Sequence, residues 1–355
     1  MIIVADTRTF TKTENSVLLS LILSVANDHP DDTFILLIDM LPLDTTGYSK
    51  NITVVTMGPH ATNLLSFRLW YNYKLPGILK TYKADIFIGN DYVSLKTKLP
   101  QIFVSGSQPV FYSSKAEKLF LEKAKAIIVN AAVRKGNLEK KYGIADDKIN
   151  MVYPPVLKSF QPVDWNEKES IKKQYTEDKE YFLYNAEIPV HADLINLLKG
   201  FSYFKKWQKS NMLLVIASVE FNKKNSFFID LETYKYKNEI KLLECPDKKE
   251  LVKITAAAYA AIEISAGSDF ENIIAAMQCN VPAIVKDSAT AKEYFADHVL
   301  YTGSNFEDLG RQMMLIFKDE EKRNHLIRTA KENLAQFDRE NTAALLWQTI
   351  IKTTA

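Results

Sequence analysis

The stretch Tyr259-Ala-Ala-Ile-Glu-Ile-Ser-Ala-Gly-Ser-Asp-Phe-Glu-Asn-Ile-Ile-Ala-Ala-Met-Gln-Cys-Asn-Val-Pro-Ala-Ile-Val285 decides the architecture. Ala260 to Ser265 reads as a buried strand, Ala266 to Ser268 as a short glycine-containing loop, and Asp269 to Gln278 as a helix. A Cys279-Asn-Val-Pro282 turn then leads into a second strand, Ala283 to Val285. A helix that begins just after a strand aims unpaired N–H groups and a positive dipole end at the space above the sheet, which is a ready anion site. The spacing Ser268-Asp-Phe-Glu271 predicts a capping box, with Ser268 accepting from the Glu271 N–H and Glu271 reaching back.

The same alternation of short apolar runs with longer segments of helical period extends in both directions, the sign of a doubly wound α/β protein. Before the linker, strands are expected at Ile2–Ala5, Thr33–Ile38, Ile52–Val55, Asp85–Ile88, Gln101–Val104, Ala126–Val129 and Ile149–Val152. Helices are expected at Ser16–Asn27, Leu64–Lys83 (interrupted at Pro76), Ala116–Lys123 and Val133–Tyr142. The non-periodic run Tyr153-Pro-Pro-Val-Leu-Lys-Ser-Phe-Gln-Pro-Val-Asp-Trp165 reads as the interdomain linker, because Pro154 and Pro155 cannot donate to a sheet. Beyond it, strands are expected at Phe182–Asn185, Leu213–Ile216 and Ile240–Leu243. Helices are expected there at Leu194–Gln208, Asn225–Lys235, Asp247–Ala258, Asn305–Lys318, Glu320–Gln336 and Arg339–Lys352.

Bulk properties narrow the function classes. At 355 residues the chain exceeds what one hydrophobic core supports, so two domains are expected. With 45 basic and 43 acidic residues the formal charge is +2, too small a field to make nucleic acid the main partner. Cys245 and Cys279 are too few and too isolated for a disulfide framework or a zinc site, and fit a reducing cytoplasm. Met1-Ile-Ile-Val-Ala-Asp6 has no basic leader and reads as a strand. The apolar run Val17 to Val25 is far short of the ~20 residues that cross a bilayer, while peripheral membrane contact stays open.

The opening stretch resembles the donor-sugar motif of the GT-B glycosyltransferases in the glycosyl transferases group 1 family, roughly Ser-x-x-Glu-Gly-Phe-Gly-x-Pro-x-x-Glu-Ala-Met-Ala-x-Gly-x-Pro-Val-Ile. Tyr181-Phe-Leu-Tyr-Asn-Ala-Glu-Ile188 resembles the strand that opens the family's donor domain, and Asn196-Leu-Leu-Lys-Gly-Phe-Ser-Tyr-Phe204 its first helix. Phe337-Asp-Arg-Glu-Asn-Thr-Ala-Ala-Leu-Leu-Trp347 resembles its closing helix. The resemblance implies an α/β GT-B fold, two Rossmann-like doubly wound domains facing a central cleft. It places an acceptor-side domain at 1–160, a donor-nucleotide-side domain at 161–338, and a helix at 339–355 that returns to the first domain.

Set against the family pattern, the scaffold is kept and the ligand positions are changed. The glutamate that contacts the donor sugar falls at Ser268 or Gly267, and the one that binds the nucleotide ribose falls at Ala275, which has no acceptor. Ser268 and Glu271 stand as donor-binding candidates beside their capping role. The basic pair falls at His191-Ala192 and near Lys223. An imidazole is only partly charged at neutral pH, so His191 is a weaker phosphate contact than an arginine. The glycine-rich loop after the first strand is replaced by Arg8-Thr-Phe-Thr-Lys-Thr-Glu-Asn-Ser-Val17, with no glycine and with Asn15 or Ser16 as helix cap. The loop that often carries a His-Asp pair reads Ser105-Gly-Ser-Gln-Pro109, with Gly106 where the histidine would stand. Ser105 and Ser107 offer hydroxyls there, and Asn90-Asp91 offers polar contacts at another strand end or forms a turn. Glu293 matches a family glutamate on a helix below the site.

The implied activity is retaining transfer of a hexose from a nucleotide sugar, UDP- or GDP-linked, in glycan or surface polysaccharide synthesis, with no metal. The substituted ligand positions keep two other readings beside it: a non-catalytic homologue that scaffolds or partners a catalytic glycosyltransferase, and a carbohydrate or nucleotide sensor.

Overall fold

The computed structural model of the chain describes residues 1–7, 17–38, 48–57, 69–105, 113–186, 190–218, 221, 227–245, 248–265 and 270–355. They group into two compact units, Met1–Pro155 with Phe337–Ala355, and Val156–Gln336.

The first unit is built on strands β1 (Ile2–Asp6), β2 (Thr33–Ile38), β3 (Ile52–Thr56), β4 (Ile86–Asn90), β5 (Gln101–Val104), β6 (Ala126–Val129) and β7 (Ile149–Met151). They lie in the order β3-β2-β1-β4-β5-β6-β7, every pairing parallel. Val4 of β1 pairs with Ile35 on one side and Phe87 on the other. The inner strands β1, β2, β4 and β6 are buried on both faces, which is why they read as continuous apolar runs.

Helix α1 (Val17–Asp28) covers one face with Leu18, Leu21, Ile22 and Val25. The closing helix, Arg339–Thr354, joins it there through Ala343, Leu346 and Ile350. Arg339 donates through Nε to Ser24 Oγ, and His29 stacks on Trp347 with ring centroids 3.7 Å apart. The opposite face carries α2 (Leu75–Thr81), α3 (Ser114–Lys123) and α4 (Ala132–Tyr142), contributing Leu79, Phe120 and Leu138. The interruption expected at Pro76 is a π-helical turn, Trp70–Lys74, closed by the Leu75 N–H on the Trp70 carbonyl. Pro76 sits in the first turn of α2, where its missing N–H is tolerated.

The second unit repeats the plan with β8 (Tyr181–Asn185), β9 (Leu213–Ser218), β10 (Ile240–Glu244), β11 (Ala260–Glu263), β12 (Ala283–Lys286) and β13 (Leu300–Thr302). Their order is β10-β9-β8-β11-β12-β13, again with every pairing parallel. Its helices are α5 (Trp165–Thr176), α6 (His191–Trp207), α7 (Phe227–Glu232), α8 (Lys248–Ala257), α9 (Glu271–Gln278), α10 (Ala289–Phe295), α11 (Phe306–Lys318) and α12 (Glu320–Leu334). Helices α6 and α11 meet at two glycines. A Cβ on Gly310 would lie 2.8 Å from the Gly200 carbonyl, and one on Gly200 would strike Leu309.

Several elements differ from expectation. Helix α5 lies where no helix is read, because its Lys- and Glu-rich surface buries only Ile171, Lys172 and Thr176 and so carries little apolar period. Its cap is legible all the same, with Asp164 accepting from the Glu167 N–H at 2.8 Å. The short edge strand β13 also lies where no strand is expected, while α10 is the helix expected to carry Glu293. Helix α7 ends at Glu232 rather than Lys235. Among the described residues no helix is long and apolar enough to cross a membrane.

Candidate functional site

In a sheet of this order the connections reverse direction at one point, and ligands bind outside the carboxyl ends of the strands there. In the second unit that point lies between β8 and β11. Asn185 closes β8 and Glu263 closes β11. The Asn185 Nδ2 donates to Asn272 Oδ1 at 2.8 Å, and Asn272 Nδ2 donates to the Asn185 carbonyl at 3.0 Å. Glu263 is buried, and its Oε1 accepts the Ser265 N–H at 2.8 Å, which takes that amide out of the strand ladder and ends β11. Ser265 Oγ lies 3.0 Å from the Tyr184 hydroxyl. Burial pushes the Tyr184 phenol well above its ordinary 10.0, with Glu263 adding to the rise and the Ser265 contact opposing it. The phenol therefore stays protonated and acts only as a hydrogen-bonding group.

Helix α9 starts differently from the expected capping box. Its N-cap is Phe270, in the left-handed region at φ 58° and ψ 14°, with no side-chain cap. Glu271 is thus the first helical residue rather than the third, and Ser268, its expected capping partner, lies outside the described residues. The cause is packing. Phe270 is 4% exposed, with its ring centroid 5.6 Å from Tyr294 and 5.4 Å from Phe295 of α10. A left-handed non-glycine residue costs about 1–3 kcal/mol, while burying such a ring contributes about 1.5–3 kcal/mol, so the aromatic contact offsets the strain. The Phe270 carbonyl accepts from the Ile273 and Ile274 N–H groups, each at 3.0 Å. Ala275, expected at the family's ribose-glutamate position, is buried inside this helix.

His191, expected in a loop, opens α6. Its Nε2 lies 3.1 Å from Asp230 Oδ2 of α7, with both side chains nearly half exposed. Lys223, Gly267 and Ser268 fall outside the described residues, as do Asn15 and Ser107 of the first unit.

The corresponding point in the first unit lies between β1 and β4. Asp6, wholly buried at the end of β1, accepts from the Tyr71 hydroxyl. Asn90 closes β4, and Asp91 follows at φ 64° with its N–H on the Val104 carbonyl at 2.7 Å, so Asp91 makes the turn. The turn depends on Gly89, where a Cβ would lie 1.8 Å from the Tyr92 carbonyl oxygen. Ser105, just past β5, is buried, and its Oγ accepts from Arg134 Nε of α4 at 2.8 Å. Arg134 also pairs with Glu117 at 3.1 Å. Glu117 further accepts from the Tyr142 hydroxyl and lies 3.9 Å from Lys141. The Ser105 hydroxyl is therefore held by a cation, with no histidine in contact among the described residues.

Sequence reasoning missed Asp6, Tyr71, Arg134, Asn185, Glu263 and Asn272. Glu263 carried a signal, an acid inside the apolar run Ala260-Ala-Ile-Glu-Ile264. Arg134 carried none, since 29 residues separate it from Ser105. Among the described residues no cluster of His, Cys, Asp and Glu is arranged to hold a metal ion.

Residues 166–333 match the family model described as Glycosyl transferases group 1. No curated protein matches the sequence. Among solved structures the chain is similar to a glycosyltransferase from Rickettsia africae, with 14% identity, a TM-score of 0.77 and coverage of 99% and 98% of the two chains. It is similar to sucrose-phosphate synthase from Thermosynechococcus elongatus, with 15% identity, a TM-score of 0.79 and coverage of 99% and 98%. It is also similar to Anabaena HepE in complex with UDP-glucose, with 12% identity, a TM-score of 0.78 and coverage of 99% and 100%. At these identities the likeness establishes the fold, that of the GT-B glycosyltransferases with two Rossmann-like domains.

Proposed function

Because residues 166–333 match the family model described as Glycosyl transferases group 1, we propose that the chain transfers a hexose from a UDP- or GDP-sugar with retention of configuration. In that reaction the bond from the anomeric carbon to the diphosphate oxygen breaks, the acceptor hydroxyl oxygen bonds to that carbon, and the nucleoside diphosphate leaves with the electron pair and takes up the acceptor proton. We assign the donor to the carboxyl ends of β8 and β11. The observation that carries this is the polar group at their reversal point, Asn185, Glu263, Ser265 and Asn272, beside the start of α9. The positive end of α9 and the charge of Lys223 would stabilise the departing diphosphate without a metal ion. The setting is glycan or surface polysaccharide synthesis in the cytoplasm, with peripheral membrane contact and no role for nucleic acid.

A second reading is favoured by one pair of facts. Ala275 supplies no ribose acceptor, and the Asn185 and Asn272 amides are turned on each other. A donor edge so satisfied suits a non-catalytic subunit that partners an active glycosyltransferase, or a sensor. Calorimetric titration with UDP, GDP and their glucose conjugates separates the readings. Binding accompanied by nucleotide release on adding a glycan acceptor supports transfer. Binding without turnover supports the sensor, and silence at millimolar ligand the scaffold.

A further inference from the structure

The first unit has a cavity of about 420 Å³ lined by Lys125, Lys148 and Lys352 together with Asp147 and Asn150. It lies at the amino-terminal edge of the sheet, the side away from the strand ends described above. Lys125 immediately precedes β6, Asp147 and Lys148 belong to the 3-10 turn that enters β7, and Lys352 sits in the last turns of the closing helix.

The three ammonium groups have few partners. Lys148 Nζ donates to the Glu122 carbonyl at 3.0 Å, and Lys352 Nζ to the Asp147 carbonyl at 3.4 Å. An ammonium has three donors, so each keeps donors for a ligand. Two nearby carboxylates are engaged by other lysines, Glu122 by Lys118 at 3.7 Å and Asp146 by Lys135, while Asp147 lines the cavity itself. Among the described residues none of the three forms an ion pair. Burial holds the Lys148 ammonium below its ordinary 10.5, although Glu122 and Asp147 pull the other way. Lys352 alone would be explained as a cation at a helix C-terminus. Lys125 and Lys148 are not on that helix, and that explanation does not reach them.

Three lysines lining one cavity suit an anion that carries more than one charge. A phosphate group brings about −1.5 to −2 charge and three acceptor oxygens. The volume falls in the range of about 300–1,000 Å³ typical of small-molecule sites, leaving space for an organic group beside the phosphate. Asp147 and Asn150 can meet the hydroxyls of such a group. We propose that this cavity binds an organic phosphate, either a free phosphorylated polyol or the headgroup of a phospholipid.

The test uses the full chain and two probes, glycerol 3-phosphate in solution and phosphatidylcholine vesicles with or without phosphatidic acid. The wild type should bind at least one probe, with affinity falling as salt rises, and Lys148→Gln/Lys352→Gln should weaken it about tenfold or more. Lys125→Gln, at an exposed position, gives a second reading if the double variant melts early. A response to glycerol 3-phosphate identifies a soluble ligand, and one confined to acidic vesicles a lipid. The proposal is overturned if neither probe binds, if neutral vesicles bind equally well, or if the variants bind like the wild type.

Discussion

Asn185 and Asn272 clasp each other by two hydrogen bonds, side chain to side chain at 2.8 Å and side chain to backbone carbonyl at 3.0 Å. The clasp ties the last residue of β8 to the first turn of α9, across the point where the strand order reverses. Asn272→Ala removes both bonds and leaves the Asn185 amide without that acceptor. The expected loss is about 1–2 kcal/mol in denaturant unfolding, and, if the donor edge binds UDP as proposed, weaker UDP binding because the start of α9 is no longer held. Unchanged stability would show that water replaces the clasp at no cost.

Phe270 makes a second, less usual prediction. Phe270→Ala should destabilise by about 3–5 kcal/mol through loss of the ring packed on Tyr294 and Phe295. Phe270→Gly loses the same ring but relieves the left-handed backbone, so it should be about 1 kcal/mol less harmful than alanine. Parallel unfolding curves of the two variants check this, and a glycine variant weaker than the alanine one would contradict the assigned backbone.

Stability should fall in alkali. Burial pushes the Cys279 thiol from its ordinary 9.0 up to about 12 and the Cys245 thiol up to about 11, the latter helped by Glu250. The Tyr301 phenol rises from 10.0 to about 12, again mainly by burial. Between these ordinary and raised values the unfolded chain has lost protons that the folded chain keeps, so folding stability drops as pH rises. The contribution is whole below about pH 9 and is lost on the way to about pH 12, on the order of 3–4 kcal/mol for Cys279 alone. Denaturant melts at about pH 7 and about pH 10.5 measure the slope, which Cys279→Ala should flatten.

Ala275→Glu places a carboxylate where the resemblance expects the ribose-binding glutamate. If the donor edge binds a nucleotide, UDP affinity should rise about tenfold, which is about 1.4 kcal/mol. A folded variant with no gain would displace Ala275 from that alignment.

Gly89→Ala should be among the most damaging single-methyl changes in the chain. The new Cβ would lie 1.8 Å from the Tyr92 carbonyl oxygen, a backbone atom that cannot rotate away. A loss of more than about 3 kcal/mol is expected in thermal or denaturant unfolding; a neutral result would rule out the turn through Asp91.

The sequence determined the alternation of strands and helices and the parallel character of the sheets. Strands buried on both faces must be apolar throughout, and helices covering them must carry one apolar stripe, so both are written in local order along the chain. It could not announce α5, whose charged surface hides the period, or β13, whose three residues are too few for one. Tertiary structure alone decided the start of α9, because Phe270 is held by rings of a helix that begins 19 residues later at Ala289. It alone brought Arg134 to Ser105, Asn272 to Asn185, and three lysines from separate elements to one cavity. Those contacts arise from how the chain returns on itself, and local composition does not record which distant residue a polar side chain will meet.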